Sequence, residues 1–430
     1  MSLNTDTLIR TSSLSPLQYL ESLDMKRVRL SLDPIRRLMD RLGNPQEKYR
    51  TILVAGTNGK GSISSMLYSI LRKSGMKTGL YTSPHLIDFR ERIRVDGAMI
   101  SNEDLGSLIE EVREEIDEDI TYFEFATAVA FLHFLRAGVD IAVLEVGMGG
   151  RLDATNIVHS EVSIVSNISV DHREYLGETL DQIAREKCGV IKEGGVCVTA
   201  EKKKGIIRII EETCRERHSK LIRVGKDLKA RAGRNGRFSF RGIDRRYENL
   251  FLPLRGRHQI ENAAAALGAV EALSAKGCPV ADQHVLDGLR DTKWEGRLEI
   301  LQEKPTLVLD AAHNLSGVSA LGRALAEDFS YKKLIFVFGV LRDKDYRSML
   351  KKIAPLADHL ILTGIRTQRA LSLEELADVG RKYHRNIRVA CNSGKALNEA
   401  LALAGPDDLV CIAGSLYLVG EIKREFANRK

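Results

Sequence analysis

The stretch Val54-Ala55-Gly56-Thr57-Asn58-Gly59-Lys60-Gly61-Ser62 narrows the fold more than any other part of the 430 residues. It follows the apolar run Thr51-Ile52-Leu53-Val54 and leads into a helically spaced pattern from Ser62 to Arg72. A strand, a glycine turn and a helix bring backbone N–H groups and a helix N-terminus to one point, which is a setting for bound phosphate. Gly56, Gly59 and Gly61 keep side-chain carbon away from the anion. Between them lie Thr57 and Asn58, while Lys60 offers a mobile charge for the β- and γ-phosphates and Ser62 a hydroxyl for Mg²⁺. The pattern G-x-x-x-x-G-K-[ST] is not met literally, since Val54 holds the first glycine's place and Gly61 separates Lys60 from Ser62. A glycine turn before a helix is often only structural; the Gly-Lys pair at this junction favours phosphate.

Further strands follow in alternation with helices. Thr78-Gly79-Leu80-Tyr81 reads as a second strand, ending in Thr82-Ser83-Pro84-His85-Leu86, where Pro84 keeps Ser83 extended. Amphipathic helices are expected over Asn102–Asp117 and Phe123–Ala137. Ile141-Ala142-Val143-Leu144 is continuously apolar, as a strand covered on both faces must be, and runs into Glu145. Val162–Ser166 is the next strand, then Asp171-His172, a helix over 179–187 and a strand at Val196–Thr199. Such alternation makes a doubly wound parallel sheet, with ligands at the carboxyl ends of its strands. Ser83, Glu145 and His172 all fall just beyond such ends.

From about residue 222 the texture changes. Gly236–Ile243 alternates apolar and polar, predicting a small antiparallel element, and Ile260–Leu273 is an alanine-rich helix introduced by Arg257-His258-Gln259. The pattern breaks near Thr292–Arg297, dividing the chain into domains 1–295 and 296–430. The second is another α/β series, with strands at Thr306–Leu309, Leu334–Phe338, His359–Thr363 and Leu409–Ile412. Upstream, Leu17–Leu42 carries helical signals on both sides of an irregular stretch, Lys26–Leu32.

Composition excludes several classes. No apolar run approaches the roughly 20 residues that span a bilayer, and Met1–Ser15 lacks the apolar core of a signal peptide. Six cysteines without CxxC or metal spacing read as reduced thiols of a cytoplasmic protein. The net charge is +7, and residues 201–257 hold 18 Lys/Arg against 7 Asp/Glu. These charges are dispersed with few aromatics between them, so a solvated face that steers anionic substrates is favoured over nucleic-acid binding.

Together these motifs resemble the folylpolyglutamate synthases, including the bifunctional dihydrofolate synthase/folylpolyglutamate synthases, of the Mur ligase superfamily. The landmarks are AGTNGKGS (55–62), TSPHL (82–86), TYFE (121–124), EVGMGGRLDATN (145–156), DH (171–172), EKCGVIK (186–192), HQIENAAAA (258–266), GRLE (296–299), LDAAHN (309–314), DKD (343–345) and GSLYLVGE (414–421). The implied fold is α/β and Mur-ligase-like. An N-terminal P-loop ATPase domain with a mostly parallel sheet precedes a smaller, Rossmann-like C-terminal glutamate ligase domain.

The resemblance implies ATP-dependent ligation of L-glutamate to folates, and to 7,8-dihydropteroate in bifunctional members, through an acyl phosphate. ADP and phosphate are released. It implies two Mg²⁺ sites and room for a monovalent cation, with Ser83, Glu145, His172 and Ser62 as metal ligands. Lys60, Glu145, His172 and a carbamylated Lys187 would serve catalysis. Asn262, Arg297, Asp310 and His313 would contact ATP across an interdomain cleft. Val28, Arg29, Leu30, Thr121, Tyr122, Phe123, Glu124, Leu152, Asp153 and Ala154 would face the pterin. A small-molecule enzyme of this kind implies a monomer without nucleic-acid or membrane partners. Each residue also has a plainer reading: a hydrogen-bonded strand-end His, a helix-end Lys paired with an acid, or a packing Phe.

Two positions depart from the family's pattern. Arg29-Leu30-Ser31-Leu32 stands where bifunctional members have Asp-Leu-Gly-Leu, reversing a charge, and Cys188 replaces a small Ala. Two alternatives stay open here. A Mur-type ligase of a cell-wall precursor would need a uridine-nucleotide site, which the TYFE and RLDATN stretches argue against. A nucleotide-binding module without ligase activity would not need Lys60, Ser83, Glu145, His172 and Lys187 together.

Overall fold

A computed structural model describes residues 14–24, 27–117 and 119–428; Met1–Ser13 and Lys26, to which sequence expectations were attached, lie outside them. Its first sheet has eight strands: β1 (Arg50–Ala55), β2 (Thr78–Tyr81), β3 (Ile93–Val95), β4 (Ala98–Met99), β5 (Ile141–Glu145), β6 (Val162–Val165), β7 (Val196–Thr199) and β8 (Lys220–Arg223). They lie in the order β4-β3-β2-β5-β1-β6-β7-β8. The six from β2 to β8 are parallel, and β3 and β4 close one edge antiparallel. β1 and β5 are buried almost throughout, as their unbroken apolar runs require.

Because β5 inserts between β2 and β1, the carboxyl ends of β2, β5, β1 and β6 stand side by side. The loops carrying Ser83, Glu145, Gly56 and Ser166 therefore open at one edge of the sheet, where an α/β fold binds its ligands.

Three helices carry or adjoin candidate site residues. Lys60–Lys73 buries every residue from Gly61 to Leu71. Tyr122–Arg136 is apolar nearly all round and sits deep in the core. It starts in a capping box: Thr121 Oγ1 accepts from Glu124 N, and the Glu124 carboxylate accepts from Thr121 N. Leu180–Cys188 begins with the same device, Thr179 and Gln182, and delivers Lys187 on its last turn.

The predicted antiparallel element is a separate three-stranded sheet, β9 (Lys229–Ala232), β10 (Arg237–Arg241) and β11 (Arg246–Phe251), with β10 in the middle. Phe238, Phe240, Tyr247 and Leu250 form its buried face. The next helix begins earlier than its alanine run suggests: Arg257-His258-Gln259 is its first turn, and it extends to Ala275.

Backbone contacts group the chain into two compact units. The first takes in the described residues up to Gly233, then Arg237–Phe251 and Glu261–Thr292. The second takes in Arg234–Gly236, Leu252–Ile260 and the described residues from Lys293. Its six-stranded sheet has the order β12-β13-β17-β14-β15-β16: β12 (Glu299–Glu303), β13 (Thr306–Leu309), β14 (Leu334–Phe338), β15 (His359–Thr363), β16 (Ile387–Ala390) and β17 (Leu409–Ala413). Only β12 runs antiparallel to its neighbour. Among the described residues no helix is long and apolar enough to cross a membrane.

Candidate active site

At the end of β1 the chain turns through Gly56 (φ 138°) and Gly59 (φ 85°), backbone conformations that disfavour side chains. Space forbids them too. A Cβ on Gly56 would lie 1.9 Å from Ser166 Oγ, and one on Gly59 would lie 2.5 Å from Asn262 Oδ1. Asn262, expected at ATP, is thus seated on the glycine loop. Gly59 caps the helix without a side chain, so the N–H groups of the first turn are left for an anion. Lys60 Nζ makes a long contact, 3.4 Å, to Thr57 O.

Ser62 is 1% exposed, and its Oγ has no hydrogen-bond partner. An orphaned buried hydroxyl at this position fits a cation's ligand. Glu145, 5% exposed at the end of β5, accepts a hydrogen bond on Oε2 from Ser83 N at 3.3 Å. His172 adopts a left-handed conformation (φ 52°), and its Nε2 lies 3.9 Å from Asp171 Oδ1. Among the described residues no three or more His, Cys, Asp and Glu side chains gather as a metal cluster. One carboxylate plus hydroxyls, to be completed by phosphate oxygens and water, suits a hard cation such as Mg²⁺ or Mn²⁺.

Lys187 is the most informative side chain. It is 4% exposed, and its Nζ donates to Gly56 O at 2.9 Å. Burial first, then the Lys60 charge, push its pKa down to about 7, against the opposing pull of Asp171 and Asp153. An ordinary lysine is protonated at neutral pH; this one is poised between cation and free amine.

The residues expected at the pterin divide into two groups. Thr121 and Glu124 are used in the capping box, and Tyr122 is buried with the Arg92 guanidinium 5.3 Å from its ring centre. Asp153 is likewise engaged. Its Oδ2 accepts from Met148 N at 2.9 Å and its Oδ1 from Thr155 N and Oγ1 at 3.0 and 2.5 Å, capping the turn Ala154–Ile157. Burial raises its pKa. Phe123 and Leu152, by contrast, remain partly exposed, with Phe123 lying against Gly147 and Tyr81. Val28 and Leu30 are exposed apolar side chains, and Arg29 between them is tied down. Its Nη1 donates to Asp119 O at 2.7 Å and lies 3.9 Å from Glu124 Oε2.

In the second unit, Asp310 stands at the end of β13. Its Oδ2 accepts from Leu298 N at 3.0 Å and its Oδ1 from Ala312 N at 2.9 Å. Burial raises its pKa, opposed by Arg297 and His258. Arg297 donates to Gly296 O at 3.2 Å, and His313 Nδ1 donates to Ala311 O at 2.9 Å. Asp310, Arg297 and His313 thus gather around the start of one loop of that unit.

Three residues that sequence reasoning missed brace the glycine loop: Ser166, Asn167 and Ser169, just past β6. Thr57 N donates to Asn167 O at 2.7 Å, Asn58 N to Asn167 Oδ1 at 3.2 Å, and Asn167 Nδ2 to Asn58 O at 3.1 Å. Ser166 Oγ donates to Asn58 O at 2.7 Å, and Thr57 Oγ1 exchanges hydrogen bonds with Ser169 O and N. The one available signal was their position at a strand's carboxyl end.

The Mur ligase middle domain matches residues 54–270, and the Mur ligase glutamate ligase domain matches residues 296–416. Dihydrofolate synthase/folylpolyglutamate synthase of Bacillus subtilis is 34% identical over 411 residues, covering 92% of this chain and 95% of that protein. Folylpolyglutamate synthase of Mycobacterium tuberculosis, solved with ADP, superposes with a TM-score of 0.90 at 33% identity, over 96% of this chain and 98% of that one. The bifunctional enzyme of Yersinia pestis, solved with AMPPNP and a Mn ion, gives a TM-score of 0.86 at 30% identity, over 97% and 99%. With two Mur ligase domains in this order and relatives matched along nearly their whole length, the chain belongs to the dihydrofolate synthase/folylpolyglutamate synthase family of ATP-dependent Mur ligases.

Proposed function

We propose that this chain joins L-glutamate to folates, and to 7,8-dihydropteroate, at the expense of ATP. The observation that carries the reading is Lys187: a buried lysine held on the carbonyl of the phosphate loop, with its pKa near neutrality. A carboxylate cannot be attacked directly by an amine, because its oxygen is too poor a leaving group. In the proposed reaction a carboxylate oxygen of the folate attacks the γ-phosphorus and ADP leaves. The glutamate amine then attacks the acyl carbon, phosphate leaves and the amine's proton is lost. Lys60 and the first-turn N–H groups hold and neutralise the transferring phosphoryl group. Mg²⁺, held by Ser62, Ser83, Glu145 and His172, would supply charge neutralisation.

Lys187 in its free-amine form would add to CO₂ through nitrogen, lose a proton and become a carbamate. That replaces a cation, which would repel Mg²⁺, by an anion. Residues 1–295 would be the ATP- and pterin-binding part of the chain, and residues 296–430 its glutamate ligase part. The protein would work in the cytoplasm, as a monomer and without nucleic acid. Phosphate release from ATP that requires both a folate or pteroate and L-glutamate is the direct test. Release that is independent of either would remove the ligase reading.

Two further outcomes are expected. Glu145→Gln replaces an anionic oxygen ligand by a neutral one, so the Mg²⁺ concentration for half-maximal rate should rise and turnover fall. An unchanged Mg²⁺ titration would take Glu145 out of the metal site. Arg29→Asp would set a third carboxylate beside Asp119 and Glu124 in place of their cation, loosening the 27–32 loop. Turnover on dihydropteroate relative to tetrahydrofolate should therefore change; an identical ratio would place the loop outside the pterin site.

A further inference from the structure

We infer that Asn167 is the positioning residue of the phosphate loop, and that it decides which backbone N–H groups meet the nucleotide. Its side-chain amide pairs with the Asn58 peptide on both sides: Oδ1 takes the N–H at 3.2 Å, and Nδ2 gives to the carbonyl at 3.1 Å. Its own carbonyl takes Thr57 N at 2.7 Å. The N–H groups of Thr57 and Asn58 are thereby spent within the protein. Thr57 and Asn58, expected among the ATP-binding residues, act as the loop's anchor. The phosphate-facing donors begin at Gly59.

The clamp has its own foundation. Ile168, next in sequence, donates its N–H to Glu201 Oε2 at 2.7 Å and accepts from Lys203 Nζ at 2.6 Å on its carbonyl. Glu201 is itself buried at the end of β7 and also receives the N–H groups of Lys202 and Lys203, each at 2.8 Å. The same segment runs on into Asp171 and His172. One short loop therefore fixes the phosphate cradle at one end and carries the candidate metal ligand at the other. Its geometry sets the spacing between them.

This inference rests on the ATP-ligase reading only in that the loop binds a nucleotide. Its test is calorimetric titration of ADP with Mg²⁺ into wild type, Asn167→Ala and Lys60→Ala, alongside steady-state kinetics. Asn167→Ala loses two hydrogen bonds at the loop, and affinity for ADP should fall about tenfold. The KM for ATP should rise in step, with the KM values for L-glutamate and folate within twofold of wild type. Parallel changes in all three KM values, or an ADP affinity within twofold of wild type, would overturn the assignment. Should Asn167→Ala fail to fold, Ser166→Ala decides, since it removes one donor to the same Asn58 carbonyl and should weaken ADP in the same direction. Unchanged ADP affinity in folded Ser166→Ala would then overturn it. Wild type that binds ADP, loses it in Lys60→Ala, yet ligates no glutamate would refute the folate reading while the clamp stands.

Discussion

Lys60→Ala should lose ligase activity by about 10²-fold or more, the scale seen when a preorganised charge partner of a transition state is removed. The side chain is placed for it. Lys60 is the first residue of its helix, and its Nζ reaches back only weakly to Thr57 O. Steady-state rates with saturating folate and L-glutamate would measure the loss, and a rate within a few-fold of wild type would remove this loop from the chemistry. A second consequence is independent of turnover. The Lys60 charge helps to depress Lys187, so without it the Lys187 pKa should rise. The pH at which labelled bicarbonate gives a carbamate resonance in Lys60→Ala should move upward with it.

Lys187→Ala should be nearly inactive and partly rescued by short carboxylic acids such as formate or acetate. The sign follows from protonation. A lysine of ordinary pKa is free amine in only about one molecule in 10³ at pH 7. With its pKa near 7, Lys187 is largely free amine above that value and largely cationic below it. Carbamylation needs the free amine, so bicarbonate activation should grow as pH rises through about 7. Labelled bicarbonate should give a carbamate resonance in wild type that is absent from Lys187→Ala. Wild-type activity in the variant would overturn the role, as would an unlabelled Lys187 in active enzyme at high bicarbonate.

The placement of much of the candidate site was legible because local chemistry and strand ends announce it. The Gly-Lys turn, Glu145 at the end of an unbroken apolar run and Lys187 on the last turn of its helix all stand where the residue pattern put them. Thr121-Tyr122-Phe123-Glu124 was legible in a different sense: T-x-x-E before an apolar run is a capping box, and the structure uses Thr121 and Glu124 that way. Arg29 was singled out for its charge, but its tie to Asp119 spans 90 residues of sequence and could not be read locally. The Asn167 clamp was hidden for the same reason. It exists because β6 lies beside β1, which brings together residues 109 apart. Besides β9 and β11, which flank the predicted antiparallel stretch, the strands β3, β4, β8, β12 and β16 escaped notice for want of pattern. β12 carries a register shift and no clean alternation, and β16 is a half-exposed edge strand.

In the proposed reaction glutamate is joined to a folate at this site. Its most direct test is mass spectrometry of the products formed from dihydropteroate, dihydrofolate and tetrahydrofolate, each incubated with ATP, Mg²⁺ and L-glutamate. At least one acceptor should gain whole glutamyl residues, with one ADP and one phosphate released per residue added and no product from Lys60→Ala. Acceptors of unchanged mass, while ATP is hydrolysed by the wild-type protein, would contradict it.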